Sequence, residues 1–182
     1  LHDDYEAYRI QPAENCSAKQ EELTVPHQEG AMTVFDCKGN TKIFEMSRYI
    51  DLSLYHAVER SHPFYIEMTQ EILHQIGRYH EAHPGRLKVL ELGAGTGLFT
   101  EEMARLDYLE VNALEIDSEC LTILRSHVGD KAGFIMGDAV TYCREGAYDL
   151  VVSTFAHDHI HYDRACEFAG NIRKNLKPGG LY

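Results

Sequence analysis

Three stretches of this chain carry residues whose types and spacing could do chemistry. Gly93, Gly95 and Gly97 alternate directly behind the apolar run Val89-Leu90-Glu91-Leu92, with a carboxylate, Glu91, beside them. A strand that turns sharply into a helix through glycines brings bare amides and a helix N-terminus against a ligand. A second acid, Glu115, ends the run Ala113-Leu114-Glu115 a little over twenty residues past Gly93. An acid at that distance is placed to accept hydrogen bonds from ribose hydroxyls, with Asp117 as its rival. The third stretch, Ser153 to Asp163, holds His157, His159 and His161 at alternate positions. Imidazoles titrate near neutral pH and suit a general base. With Asp158 and Asp163 they also offer nitrogen and oxygen ligands to a divalent ion.

The surrounding chain narrows the classes of partner. Its 182 residues suit one domain with a packed core. A formal charge of -12 without a lysine- or arginine-rich run would repel phosphate backbones and anionic lipid, so neither nucleic acid nor a membrane is an expected partner. No window reaches the roughly 18 apolar residues of a membrane span. The first ten residues, LHDDYEAYRI, lack the order of a signal peptide, which points to a cytoplasmic location. The five cysteines are odd in number and contain no C-x-x-C pair, and they read as reduced, mostly buried thiols.

Three regions position these residues. Residues 1–30 are polar, include Pro12 and Pro26, and read as an extended or partly disordered arm. Residues 31–84 hold a hairpin, Met32 to Phe44 about Lys38-Gly39-Asn40, and then a helix. In that helix Ser61 can cap, Pro63 suits the first turn, and Tyr65, Met68, Ile72, Ile76 and Tyr79 recur at helical spacing up to Pro84-Gly85. Residues 85–182 alternate strands at 87–92, 110–115, 133–136 and 148–154 with helices at 97–106, 118–127 and 163–176, plus a short helical turn near 140–144. This alternation predicts an α/β fold, a doubly wound and mostly parallel sheet covered on both faces. The glycine spacing is G-x-G-x-G. Leu98 stands where a dinucleotide site needs its third glycine, which disfavours a nicotinamide-dependent dehydrogenase.

The segment Glu91-Leu92-Gly93-Ala94-Gly95-Thr96-Gly97 resembles the first motif of the class I S-adenosylmethionine-dependent methyltransferases. The resemblance implies a Rossmann-like core and S-adenosyl-L-methionine as cofactor, its methionine part and ribose lying on Gly93, Ala94, Gly95 and Gly97. Glu91 would help hold its ammonium end. Glu115, followed by Ile116, matches the family's ribose acid; Asp138, followed by Ala139, resembles the acid that accepts from the adenine amino group. Tyr148 to Ser153 resembles the fourth strand, with Ser153 at its cofactor end, whereas Asp149 reads as a brace of the sheet. Small-molecule and polyketide carbon-methyltransferases of this family have a histidine in the following loop, which implies His157 as general base and His159 next to it. The region before the glycine loop would cover the acceptor, with Tyr49, Tyr55, His56, His62, Phe64 and Tyr65 as lid candidates and Arg48 and Tyr49 near the cofactor carboxylate.

The expected activity is therefore methyl transfer to a small-molecule or carrier-bound metabolite, with no resident metal. The alternative is a non-catalytic cofactor-binding or assembly module of the same fold. The family sheet has seven strands ordered 3-2-1-4-5-7-6. Here Leu176-Lys177-Pro178-Gly179-Gly180 resembles the turn before the fifth strand, and the chain stops at Tyr182. The expectation is a sheet truncated before that strand, with strand four an apolar edge that a missing C-terminal segment or a second chain completes.

Overall fold

The computed structural model of the protein describes residues 32–35, 41–44 and 50–182. The arm at 1–30, the turn at Lys38-Gly39-Asn40, and Arg48 and Tyr49 lie outside the described residues. Strands β1 (Met32–Phe35) and β2 (Thr41–Phe44) pair antiparallel, Met32 opposite Phe44, as the two β-prone runs predict.

Five strands form one parallel sheet: β3 (Leu87–Leu92), β4 (Leu109–Glu115), β5 (Gly133–Met136), β6 (Tyr148–Val152) and β7 (Leu176–Leu181). Their order is β5-β4-β3-β6-β7. The chain steps outward from β3 to β5 and then returns to the other side of β3, and such a reversal opens a crevice beyond the carboxyl ends of the strands. Alternation along β3 and β4 separates two cores. Val89 and Val111 meet Ile76, Phe99 and Met103 on one face. Leu90, Leu92 and Leu114 meet Phe168 and Ile172 on the other. Helices α2 (Pro63–Ala82), α3 (Leu98–Met103) and α4 (Ser118–Val128) thus cover the first face, and α5 (Ala165–Asn175) the second.

Some local expectations change. A further helix, α1 (Leu52–Ser61), precedes α2 and is capped by Asp51, which accepts from the amides of Ser53 and Leu54. The cap of α2 is His62, whose Nδ1 accepts from Phe64 N, while Ser61 Oγ donates back to the carbonyls of Ala57 and Val58. Near Val140 the chain makes a hydrogen-bonded turn on the Asp138 carbonyl and continues without a helix. Among the described cysteines Cys120 is buried, but Cys143 and Cys166 are exposed.

The largest correction concerns the end of the chain. Leu176 to Leu181 is itself the fifth strand, parallel to β6, so β6 is not an unpaired edge. Its register with β6 shifts between Tyr148 and Leu150, an irregularity that accommodates Pro178 and Gly179-Gly180. Gly180 is required there, because a Cβ would lie 2.9 Å from the Asp149 carbonyl oxygen. Asp149 braces the sheet, accepting from Lys88 N and from Lys177 Nζ, each at 2.8 Å, and so ties β3, β6 and β7 together.

Candidate active site

The loops at the carboxyl ends of β3, β4, β5 and β6 line a cleft that opens to solvent, and α1 and α2 contribute its remaining wall. The glycine loop forms the floor, and its three glycines serve different ends. Gly93 has φ +73°, and a Cβ on it would meet the Ala156 Cβ at 2.5 Å, so the loop after β6 can close against it only without a side chain. Gly97 has φ +94°, and its Cβ would lie 2.1 Å from Leu124 Cδ1 of α4. It sets helix packing and does not line the cleft. Gly95 has φ +56° with nothing within 4 Å of an added Cβ, so its bare face is turned to open space. Gly93, Ala94 and Gly95 all line the cleft.

Glu91 lies beneath this loop and is 1% exposed. Its Oε2 accepts from Thr100 Oγ1, and its Oε1 has no hydrogen-bond partner among the described residues. Burial pushes its carboxyl up to about 8; the Thr100 hydrogen bond opposes that shift and the nearby Glu115 adds to it. A buried carboxylate with an empty acceptor position in the wall of a cleft is a receptor for a cation.

Glu115, also buried, is committed to the backbone. Its Oε2 accepts from Gly95 N at 2.7 Å, and its Oε1 from Ile116 N at 2.8 Å and Asp117 N at 2.9 Å. These bonds hold the glycine loop against the end of β4 and leave about one of the four carboxylate acceptor positions open. Burial raises the carboxyl, and the three amides oppose the rise. Asp117 caps α4 through Oδ1, while its buried Oδ2 has no partner among the described residues. Ile116 lines the same wall.

At the far end, Asp138 and Ala139 line the cleft after β5. Asp138 Oδ1 accepts from Val140 N at 2.8 Å, and Oδ2 faces Arg164 Nη1 at 3.3 Å. Arg164 is also held by Glu167 at 2.9 Å.

The histidine loop divides. His157 does not line the cleft; its ring is 62% exposed and its Nε2 faces Asp158 Oδ1 at 2.9 Å. His159 and His161 do line it. The 3-10 turn Ala156–His159 is the reason, since it rotates neighbouring side chains apart where an extended loop would alternate them. Of the two histidines expected as base, His159 lines the cleft and His157 does not. Ser153 is also outside the cleft lining. No group of three or more His, Cys, Asp or Glu among the described residues is arranged to hold a metal, so the loop's ligand-like composition does not converge on one.

Of the lid candidates, Tyr55 and Tyr65 line the cleft, His62 caps α2, and Phe64 is exposed, 6.1 Å from the ring of Phe155. His56 is buried and works as a latch. Thr96 Oγ1 gives its one hydrogen to Glu59 Oε2 at 3.1 Å, so at the 3.0 Å contact with His56 Nδ1 the imidazole donates. The ring stacks on His127 with centroids 4.3 Å apart, and burial lowers its pKa, with His127 and Arg60 adding to the effect. Neutral His56 thus ties α1 to the glycine loop.

Sequence reasoning missed Glu59, Thr69, Thr100 and Arg164. The pair Glu91 and Thr100, nine apart across the glycine turn, carried no periodic signal. Tyr55 and Glu59 stand four apart, as do Tyr65 and Thr69, and a helical reading of residues 52–61 would have put the first pair on one face.

Residues 89–180, half of the chain, match the family model of a methyltransferase domain. The chain belongs to that family. It is 25% identical over 120 residues to malonyl-[acyl-carrier protein] O-methyltransferase 2 of Ilyobacter polytropus, covering 64% of this chain and 46% of the relative. A methyltransferase-like protein of Methanococcus maripaludis shares the fold at TM-score 0.59 and 17% identity, over 72% of this chain and 60% of its own. The glycopeptide N-methyltransferase MtfA in complex with S-adenosyl-L-methionine matches at TM-score 0.53 and 25% identity, over 63% of this chain and 52% of that one. The chain therefore spans about half the length of the curated relative it matches. The strand order of the methyltransferase domain is the first five of the class I sheet, and the cofactor of that class, S-adenosyl-L-methionine, fits the residues present. Glu91 Oε1 and Asp117 Oδ2 are buried oxygens without partners among the described residues, Glu115 keeps about one acceptor position open, and Gly95 presents a bare face, a set that suits an ammonium and ribose hydroxyls. No helix among the described residues is long and apolar enough to cross a membrane.

Proposed function

We propose that this methyltransferase domain binds S-adenosyl-L-methionine in the cleft and transfers its methyl group to a small-molecule or carrier-bound acceptor. The observation that carries the reading is the unpartnered Oε1 of Glu91, a buried carboxyl oxygen in the cleft wall that an incoming ammonium would ionise and pair with. The resemblance to a malonyl-carrier methyltransferase supports a carrier-bound acceptor as one member of the class. The group supplies an activated methyl on sulfur; the protein aligns it and removes a proton from the acceptor where one must go. Gly93 to Gly95 take the methionine part and ribose, Glu115 accepts from the ribose, and Asp138 exchanges part of its contact with Arg164 for the adenine amino group. His159, which lines the cleft, acts as general base in place of His157, which does not.

Calorimetric titration with S-adenosylhomocysteine tests the cofactor site, and binding is the expected result. Glu115→Ala removes hydrogen bonds worth about 1.5–3 kcal/mol and should cost roughly ten- to hundredfold in affinity. Unchanged affinity would reject the ribose assignment. For the base, His159→Asn should lower kcat while S-adenosylhomocysteine affinity stays put, and His157→Asn should change neither. An equal loss of turnover in both histidine variants would remove His159 from this role.

A further inference from the structure

The cofactor reading leaves one corner of the cleft without an occupant. Tyr55 and Glu59 of α1 stand four residues apart and so share a helix face, as do Tyr65 and Thr69 of α2, and all four line the cleft. Phe155 of the loop after β6 completes the corner, its ring edge-to-face with Tyr65 at 5.9 Å. Phe155 holds φ +62°, rare for a residue with a side chain, and this backbone conformation accompanies the placement of its ring at the mouth. Thr69 is 6% exposed, and its hydroxyl has no hydrogen-bond partner among the described residues. A helical threonine can satisfy its hydroxyl on the carbonyl one turn back; here the hydroxyl is left for something that enters the cleft.

We propose that the corner formed by Tyr55, Glu59, Tyr65, Thr69 and Phe155 binds the methyl acceptor, and that the acceptor is an amine. The inference rests on the cleft being the cofactor site proposed above. Aromatic faces attract an alkylammonium through their quadrupoles, and a carboxylate among them supplies the countercharge. Thr69 Oγ1 accepts one N–H. Among the cleft acids, Glu91 is assigned to the cofactor ammonium, Glu115 to the loop amides and ribose, Asp117 to the α4 cap and ribose, and Asp138 to Arg164 and adenine. Glu59 alone has no assigned ligand; it lines the corner and accepts only from neighbouring hydroxyls, Thr96 Oγ1 at 3.1 Å among them. An anionic acceptor would meet the Glu59 carboxylate in this corner, and like charge disfavours it.

The step balances as follows. The acceptor enters as an ammonium and gives one proton to His159. The freed nitrogen pair forms the new C–N bond while the methyl–sulfur bond breaks, and sulfur keeps the bonding pair of the broken methyl–sulfur bond. The products are S-adenosylhomocysteine and an N-methylated ammonium, and His159 returns its proton to solvent.

Phenethylamine and its anionic counterpart 3-phenylpropionate, titrated calorimetrically into the whole chain with and without saturating S-adenosylhomocysteine, test the proposal. Phenethylamine should bind and 3-phenylpropionate should not. Glu59→Gln should weaken phenethylamine at least tenfold while S-adenosylhomocysteine affinity is unchanged. Tyr65→Leu provides the same comparison should Glu59→Gln fail to fold. Preference for the anion, no binding of the amine in either state, or equal amine affinity in wild type and variants overturns the assignment. A loss of S-adenosylhomocysteine affinity matching the amine loss moves Glu59 into the cofactor site and overturns it too. Amine binding without any S-adenosylhomocysteine binding sinks the cofactor reading and keeps the amine site.

Discussion

Glu91→Gln is expected to make the cofactor-free protein more stable at pH 8 while lowering its affinity for S-adenosylhomocysteine a hundredfold or more. Both effects come from one buried carboxyl. Its pKa is about 8 in the folded chain against a usual value of 4.5. A carboxyl raised on folding favours the native state fully below its unfolded pKa, and that contribution is lost as pH rises from about 4.5 through about 8. The difference, 8 minus 4.5, corresponds to about 4–5 kcal/mol at pH 8. Glutamine keeps the shape and cannot ionise, so it escapes the loss; a chain of this size should gain roughly 5–15 °C in Tm at pH 8 and little at pH 5. The same change removes the charge that meets the cofactor ammonium, and leaving a buried charge without its partner costs about 3–5 kcal/mol. Wild-type binding at pH 7 should release a proton, visible as a dependence of the calorimetric heat on buffer ionisation enthalpy. Equal affinity in the two proteins would falsify the assignment of Glu91.

Gly97→Ala should be the most damaging change in the glycine loop, although Gly97 does not line the cleft. The new Cβ would stand 2.1 Å from Leu124 Cδ1 and 3.3 Å from Leu124 Cβ, on a backbone at φ +94°. Left-handed backbone costs a side-chain-bearing residue about 1–2 kcal/mol and overpacking a further 1–3. A total of about 2–5 kcal/mol should appear as a lowered midpoint in urea at an unchanged slope. Gly95→Ala meets no atom within 4 Å and bears only the conformational cost, yet its methyl would project into the cleft proposed to hold the cofactor. Its expected signature is the opposite one: near-normal stability and weak S-adenosylhomocysteine binding. Similar stability for the two variants would show that Leu124 yields to the added methyl group.

How much of the site was legible depended on whether a residue's task was local. The glycine spacing and the alternation of runs from Val89 to Val152 report local constraints, and the strands and helices of the core fall within a few residues of their expected bounds. Cap, turn and edge were less legible. Pro178 and Gly179-Gly180 carry turn chemistry, but the backbone of β6, the Lys177–Asp149 ion pair and the Tyr79 hydroxyl on the Gly179 carbonyl draw them into a strand. These partners lie up to 100 residues away. His157 and His159 could not be ranked from spacing, because they share a 3-10 turn and only the folded loop places one of the two in the cleft lining.

The amino-acid sequence by itself determined the parallel core, the glycine floor and the acids set around it, because each is written as a period or a motif within one turn of chain. Tertiary structure alone decided which oxygens are left unpaired, which histidines line the cleft, and that Glu59, Thr69 and Phe155 line it together. The physical reason is range. Backbone preference and apolar periodicity act between neighbours, whereas burial, orphaned acceptors and raised carboxyl pKa values are properties of surfaces that become neighbours only when the sheet and its covering helices close.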